Sequence, residues 1–188
     1  DADGNTALHW GAAAGSALVC RRLLDAGASP VATALDGSTP LHRVGACAEV
    51  ARVLLAAGAV AAAAAANGNT ALHNAAQAGF VEVVLVLLEA GCPVDLLNTA
   101  GCTALYLAAA AGHEAAVRTL LGGGADPDIP TPASGNTAIH AAVIGGHDAA
   151  VAALLSGQAD LGALNGAGNS AVNLAAAKGA VDLIGMLA

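Results

Sequence analysis

The sequence predicts an all-α solenoid, a stack of short helix pairs joined by β-hairpin loops. Three observations predict it. A four-residue signature recurs six times: TALH from Thr6, TPLH from Thr39, TALH from Thr70, TALY from Thr103, TAIH from Thr137 and SAVN from Ser170. The steps between copies are 33, 31, 33, 34 and 33 residues, a period that marks a repeat architecture. Glycines keep the same phase, two residues before each signature (Gly4, Gly37, Gly68, Gly101, Gly135, Gly168) and nine after its start in five copies (Gly15, Gly79, Gly112, Gly146, Gly179). A leucine pair then follows in the first five copies: Leu23-Leu24, Leu54-Leu55, Leu87-Leu88, Leu120-Leu121 and Leu154-Leu155.

Each element follows from these residues. The Thr or Ser caps a helix N-terminus with its hydroxyl, and Pro40 at the next position supplies a pre-set φ where a missing N–H costs nothing. Leu8, Leu41, Leu72, Leu105 and Ile139 begin the apolar side of that first helix. The glycine nine residues on stops it in a left-handed conformation. A second apolar run ends in the leucine pair, and Gly27, Gly58, Gly91 and Gly124 stop it in turn. From each of Gly27, Gly58 and Gly91 the next cap is 12 residues away. The alanine run Ala61 to Ala66 lies inside one such interval without an insertion, so it is expected to be hairpin loop. Its helix propensity is a weak prior, and an isolated helix that short is marginal in water. Gly58 and Asn67-Gly68-Asn69 around it also favour turns.

The units run 1–33, 34–64, 65–97, 98–131, 132–164 and, incomplete, 165–188, within a single domain 1–188. Unit two is two residues short around RVGACAEV, so its first helix should be short or irregular. Unit five is preceded by a longer loop that Pro127, Pro130 and Pro132 stiffen. Gln158 stands where a helix-ending glycine is expected. Tyr106 and Asn173 replace the signature histidine. Neither end carries a polar capping repeat, so the chain is expected to continue or to be covered there.

Six copies in phase, with matching glycines and leucine pairs, resemble the ankyrin repeat over the whole chain. The resemblance implies L-shaped units of two antiparallel helices with a projecting β-hairpin, stacked into a curved solenoid. It implies a concave face of hairpin tips and first helices that binds another protein. It also implies that His9, His42, His73 and His140 bond the cap Thr and nearby backbone, and that His113 and His147 hold a structural position after the inter-helix glycine.

Composition narrows the function. The formal net charge is −8, with only six Lys and Arg in 188 residues. Phosphate recognition needs clustered cations, and only Arg21-Arg22 are adjacent, so neither nucleic acid nor an anionic membrane surface is an expected partner. No apolar run reaches the ~18 residues of a spanning helix. Cys20, Cys47, Cys92 and Cys102 form no CxxC and no zinc-ligand spacing with His. Free thiols in a reducing intracellular compartment are expected, the cytoplasm first, or an organelle if a targeting segment has been removed. The carboxylates are dispersed, without a pair for acid–base work, and the glycines lie in no phosphate-binding context. No enzyme, cofactor or metal site is expected.

The expectation is therefore a non-catalytic scaffold or adaptor. Positions that usually meet partners in the resembled family are occupied by Asp3, Asn5, Trp10, Asp36, Arg43, Asn69, Asn74, Gln77, Leu107, Asn136 and Ile144. Trp10, Arg43, Asn74 and Leu107 share one first-helix position in successive units. An Asn row, Asn5, Asn69, Asn136 and Asn169, can donate and accept, and equally suits turn geometry. Asp126 and Asp128 lie in the proline-stiffened loop, whose rigid tip loses little entropy on binding. Two alternatives stand beside this reading. One is a subunit or domain buried in a large assembly, in line with 11% charged residues and a mean hydropathy of +0.66. The other is the interaction domain of an enzyme lying outside residues 1–188.

Overall fold

The structure, a computed structural model, describes residues 1–180, 184 and 185. The described residues hold α1 (Ala7–Ala13), α2 (Ala17–Asp25), a 3₁₀ helix (Pro40–Arg43), α3 (Ala48–Ala56), α4 (Ala71–Ala78), α5 (Val81–Glu89), α6 (Ala104–Ala110), α7 (Glu114–Gly122), α8 (Ala138–Gly145), α9 (Asp148–Ser156) and α10 (Ala171–Ala177). This is the paired-helix repeat that the sequence predicts. The completion of unit six lies outside the described residues.

The chain falls into two compact units. One is Asp1–Ala75 with Phe80–Pro93, the other Ala76–Gly79 with Val94–Ala188. In the first, α1 packs on α2 and on the 3₁₀ helix, and α3 packs on α2 and α5. In the second, α6 packs on α7 and α8, α9 on α7 and α8, and α10 on α8. From unit two to unit five the first leucine of the pair is the core residue: Leu54, Leu87, Leu120 and Leu154 are fully buried, while Leu55, Leu88, Leu121 and Leu155, and both Leu23 and Leu24 of unit one, are half-buried. Each fully buried Leu contributes about 1.5–3 kcal/mol of apolar transfer. Ala12, Ala51, Ala76, Ala108, Ala109, Ala142 and Ala150, all at 0% exposure, fill the helix contacts between them, where small side chains let backbones approach.

The irregular first helix expected of unit two is the 3₁₀ turn, which ends at Val44 in an extended conformation. Gln158 takes the left-handed φ of the glycine it replaces, +63°, the one non-glycine residue to do so among those described. Ala61 to Ala66 is loop and not helix. Its backbone bonds run outward: Ala65 N–H donates to Asn69 C=O at 2.9 Å and Ala66 N–H to Asp36 C=O at 2.9 Å.

The loops differ from β-hairpins in one respect: no strand occurs among the described residues. Each tip is closed by one cross-loop backbone bond of the kind Ala34 N–H to Ser38 C=O, 2.9 Å, or Asn165 N–H to Asn169 C=O, 3.0 Å, around an inner turn bond, Gly37 N–H to Ala34 C=O, 3.0 Å, or Gly168 N–H to Asn165 C=O, 2.8 Å. Neighbouring tips are joined by one more, such as Leu35 N–H to Asp3 C=O, 2.9 Å, and Gly166 N–H to Ser134 C=O, 2.8 Å. A ladder needs consecutive pairs, and each tip supplies only its one cross-loop bond beyond the turn itself. In the loop before unit five, Pro130 and Pro132 have no N–H to give.

Candidate functional site

The face made of loop tips and first helices is built on a repeated threonine–histidine clamp. The backbone N–H groups of Thr6, Thr39, Thr70 and Thr137 donate to Nδ1 of His9, His42, His73 and His140 at 3.0–3.3 Å, with each Thr hydroxyl 2.9 Å from the same nitrogen. A backbone N–H only donates, so Nδ1 carries no proton. Nε2 therefore carries it and donates, to the carbonyls of Ser38, Asn69 and Asn169 from His9, His42 and His140, each at 3.0 Å. Each of these three rings is a neutral strut from its own helix cap to the next tip. Burial pushes the His42 imidazole below its ordinary pKa. Where the histidine is replaced, the hydroxyl alone caps: Thr103 accepts from Tyr106 N–H and Ser170 from Asn173 N–H.

His113 and His147 serve the helix ends. Their Nε2 atoms lie 3.0 Å and 3.1 Å from the carbonyls of Gln77 and Ala110. A Cβ on Gly79 would lie 2.7 Å from Nδ1 of His113, and one on Gly112 would lie 2.6 Å from Nδ1 of His147. These glycines are thus required twice, by a left-handed φ and by the ring that the next repeat lays over them. No group of three or more His, Cys, Asp or Glu side chains placed to hold a metal ion occurs among the described residues.

In the first compact unit the clamp leaves the residue after each histidine facing outward. Trp10 is 60% exposed, and its indole N–H donates to Asp1 Oδ2 at 3.1 Å. Arg43 donates to Asp36 Oδ2 at 2.9 Å. Asp36 also accepts from the Ser38 N–H and hydroxyl, at 3.0 Å and 2.5 Å, and these bonds hold its carboxyl below the usual range. Asn74 is half-buried: it accepts from Asn69 Nδ2 at 3.0 Å and donates to His42 C=O at 3.1 Å. Two open cavities flank Trp10. One, of about 340 Å³, is lined by Asp3, Asn5, Trp10, Leu35, Asp36 and Arg43. The other, of about 110 Å³, is lined by Asn5, His9, Trp10, Ala13 and Arg43. The structure thus brings Asp3, Asn5, Trp10, Asp36 and Arg43 together. Leu35, 80% exposed, belongs with them, at the loop-tip position next to Asp36 that the repeat register assigns to the same face.

In the second unit the predicted residues do not converge on one cavity. Gln77 is exposed, and Leu107 is half-buried. Ile144 is 45% exposed, and its carbonyl accepts from the Lys178 ammonium. Asn136 accepts from Asn165 Nδ2 at 2.9 Å, a link between neighbouring tips. Asp126 and Asp128 belong to a chain of loop bonds. Asp126 N–H donates to the Asp95 carboxylate at 3.1 Å, Asp128 N–H to Asp126 Oδ1 at 2.9 Å, and Asp160 N–H to Asp128 Oδ1 at 2.8 Å. The Asp95 and Asp128 carboxylates therefore tie successive loops to one another, while the Asp126 carboxylate braces its own loop. Desolvation raises the Asp95 pKa against the opposing pull of the Asp126 N–H. The signal was in the sequence: an Asp four residues past one helix stop, Asp95 or Asp128, faces an Asp two residues past the next, Asp126 or Asp160.

Comparison with known proteins agrees with the repeat register. A family model described as ankyrin repeats in three copies matches residues 46–131, and one of the single ankyrin repeat matches residues 3–34 and 134–166. No curated protein matches the chain.

Proposed function

Because the chain belongs to the ankyrin repeat family, whose repeats are generally non-catalytic protein–protein interaction modules, we propose that it is a scaffold or adaptor that holds a protein partner on the face of loop tips and first helices. The observation that carries this reading is Trp10. It is the chain's one tryptophan, it is 60% exposed, and it lines two open cavities. Exposed aromatic side chains beside cavities are the usual anchors of protein interfaces. In the second unit Leu107 holds the first-helix position of Trp10 and Ile144 lies on the first helix of the next repeat, and Asn69 and Asn74 in the first unit and Gln77 and Asn136 in the second add polar groups. The scarcity of clustered cations supports a protein partner over nucleic acid. Among the described residues no helix is long and apolar enough to cross a membrane. All four cysteines are free, which supports a reducing compartment.

A second reading, burial within a larger assembly, has its own observation. Leu18 and Val19 on α2 are 66% and 45% exposed, whereas Val50 and Val83, the register equivalents of Val19, are 0% and 1% exposed. Large apolar side chains at a position covered elsewhere mark a surface that another protein can cover.

The test is the double variant Trp10→Ala/Leu107→Ala in gentle co-purification of the native protein. Loss of a partner with helical circular dichroism unchanged is the expected result. Unchanged recovery would move the binding site off this face.

A further inference from the structure

The walls around Trp10 ask for a particular kind of side chain. The two cavities it lines share Asn5, Trp10 and Arg43. Their charged wall residues are Asp3, Asp36 and Arg43, and Asp1 sits on the indole N–H. Arg43 is answered by Asp36, and the Asp1 ammonium, which donates to Asn5 C=O at 3.1 Å, offsets the Asp1 carboxylate, so Asp3 leaves the negative charge in excess. Asn5 adds an acceptor: its Oδ1 is buried without a hydrogen-bond partner, while its Nδ2 donates to Asp1 Oδ2 at 3.2 Å. The remaining walls are the His9 ring, whose nitrogens are taken up in its clamp, and apolar groups from the indole, the exposed Leu35 and Ala13.

Resting on the reading of this face as the binding face, we propose that the space beside Trp10 receives a basic side chain, a lysine or arginine presented by a partner protein. The alkyl stem lies along Leu35 in the cavity that Asp3 lines, the cation meets the face of the indole, and its N–H groups answer Asn5 Oδ1 and the Asp3 carboxylate. A neutral apolar side chain would cover these acceptors without pairing them, which costs free energy. An acidic one would be repelled. The hydrogen bonds from Ser38 keep Asp36 ionised, so the wall stays negative through the physiological range. The chain's net charge of −8 draws a basic segment toward it.

Trp10 reports on its own site, because no other tryptophan contributes to emission. The experiment titrates the full chain at low salt with the capped pentapeptide Ala-Lys-Ala-Lys-Ala and with its twin in which both lysines are acetylated. The lysine peptide should change Trp10 emission saturably, and the acetylated twin should bind at least about tenfold more weakly, as expected for loss of charge-assisted pairing. Asp3→Asn, and more so Asp3→Asn/Asp36→Asn, should weaken the lysine peptide. The charge-matched control Glu82→Gln/Glu89→Gln on α5 should not. Equal response to the two peptides, no response to either, or equal losses in the Asp and Glu variants would overturn the proposal. Silence toward both peptides, combined with partner loss in the Trp10→Ala/Leu107→Ala variant, would remove the basic side chain while leaving the face in place.

Discussion

His140 is fully buried and joins Thr137 to the carbonyl of Asn169. Replacing it with Leu keeps the bulk but strands an N–H and a C=O. The cost of unpaired buried groups is about 1–3 kcal/mol each, so His140→Leu, which strands two, should lower stability by roughly 2–6 kcal/mol in urea unfolding. A loss under half a kcal/mol would show that the clamp is ornamental. His42 adds a pH dependence. Its folded pKa lies below the ordinary 6.5, so as pH falls through 6.5 the unfolded chain takes up the proton first. The stability that neutral His42 contributes is full above that value and declines below it, until the folded ring titrates. The urea midpoint should therefore fall between pH 7.5 and pH 5.5, and less so in His42→Gln. At Gln158, an exposed side chain holds φ at +63°. A left-handed non-glycine residue costs about 1–2 kcal/mol, so Gln158→Gly should raise stability by about 1 kcal/mol. A decrease would mean that the side chain makes contacts worth more than the strain.

Two glycines of the second unit separate the reasons for which an element ends where it does. Gly112 and Gly124 have φ of +76° and +87°. A Cβ on Gly124 meets nothing within 4 Å, whereas one on Gly112 would strike the His147 ring. Gly124→Ala should cost about 1–2 kcal/mol from backbone strain. Gly112→Ala should cost about 1–3 kcal/mol more, because the ring must move, and thermal unfolding can rank the two. Equal losses would mean that the ring yields freely. The glycine periodicity was legible because backbone conformation is local. The histidine stacked on the glycine was not, because the contact joins residues 35 positions apart in sequence. The same division runs through the other elements. The 3₁₀ turn at Pro40–Arg43 and the loop at Ala61 to Ala66 could be read by counting residues between caps. The missing β-ladder could not, since pairing depends on how neighbouring tips meet. On the candidate face, Asp36 with Arg43 and the exposure of Trp10 agreed with register reading. Asp126 and Asp128 lie where the sequence places them, in the loop before unit five, but their bonding partners, Asp95 and Asp160, belong to other repeats.

At the scale of the whole molecule, few charges separate one copy from another. The formal net charge is −8 at pH 7 and vanishes near the sequence pI of 4.9. Charge repulsion keeps surfaces apart, and Leu18, Leu35, Leu97 and Leu164 are all more than half exposed. Sedimentation at fixed concentration should show growing self-association as pH falls from 8 toward 5, and a single species throughout would remove this support for a chain that is covered by other proteins. The claim that matters most concerns which face is used. Photo-crosslinking residues can be placed at Arg43, Asn74 and Leu107 on the first-helix face, and at Arg52, Leu85 and Arg118 on the second helices, one variant at a time, in the native protein. The account predicts that one partner of constant mass is captured from the first set and not from the second. Capture of that partner from Arg52, Leu85 or Arg118, with the first-helix positions silent, would contradict it.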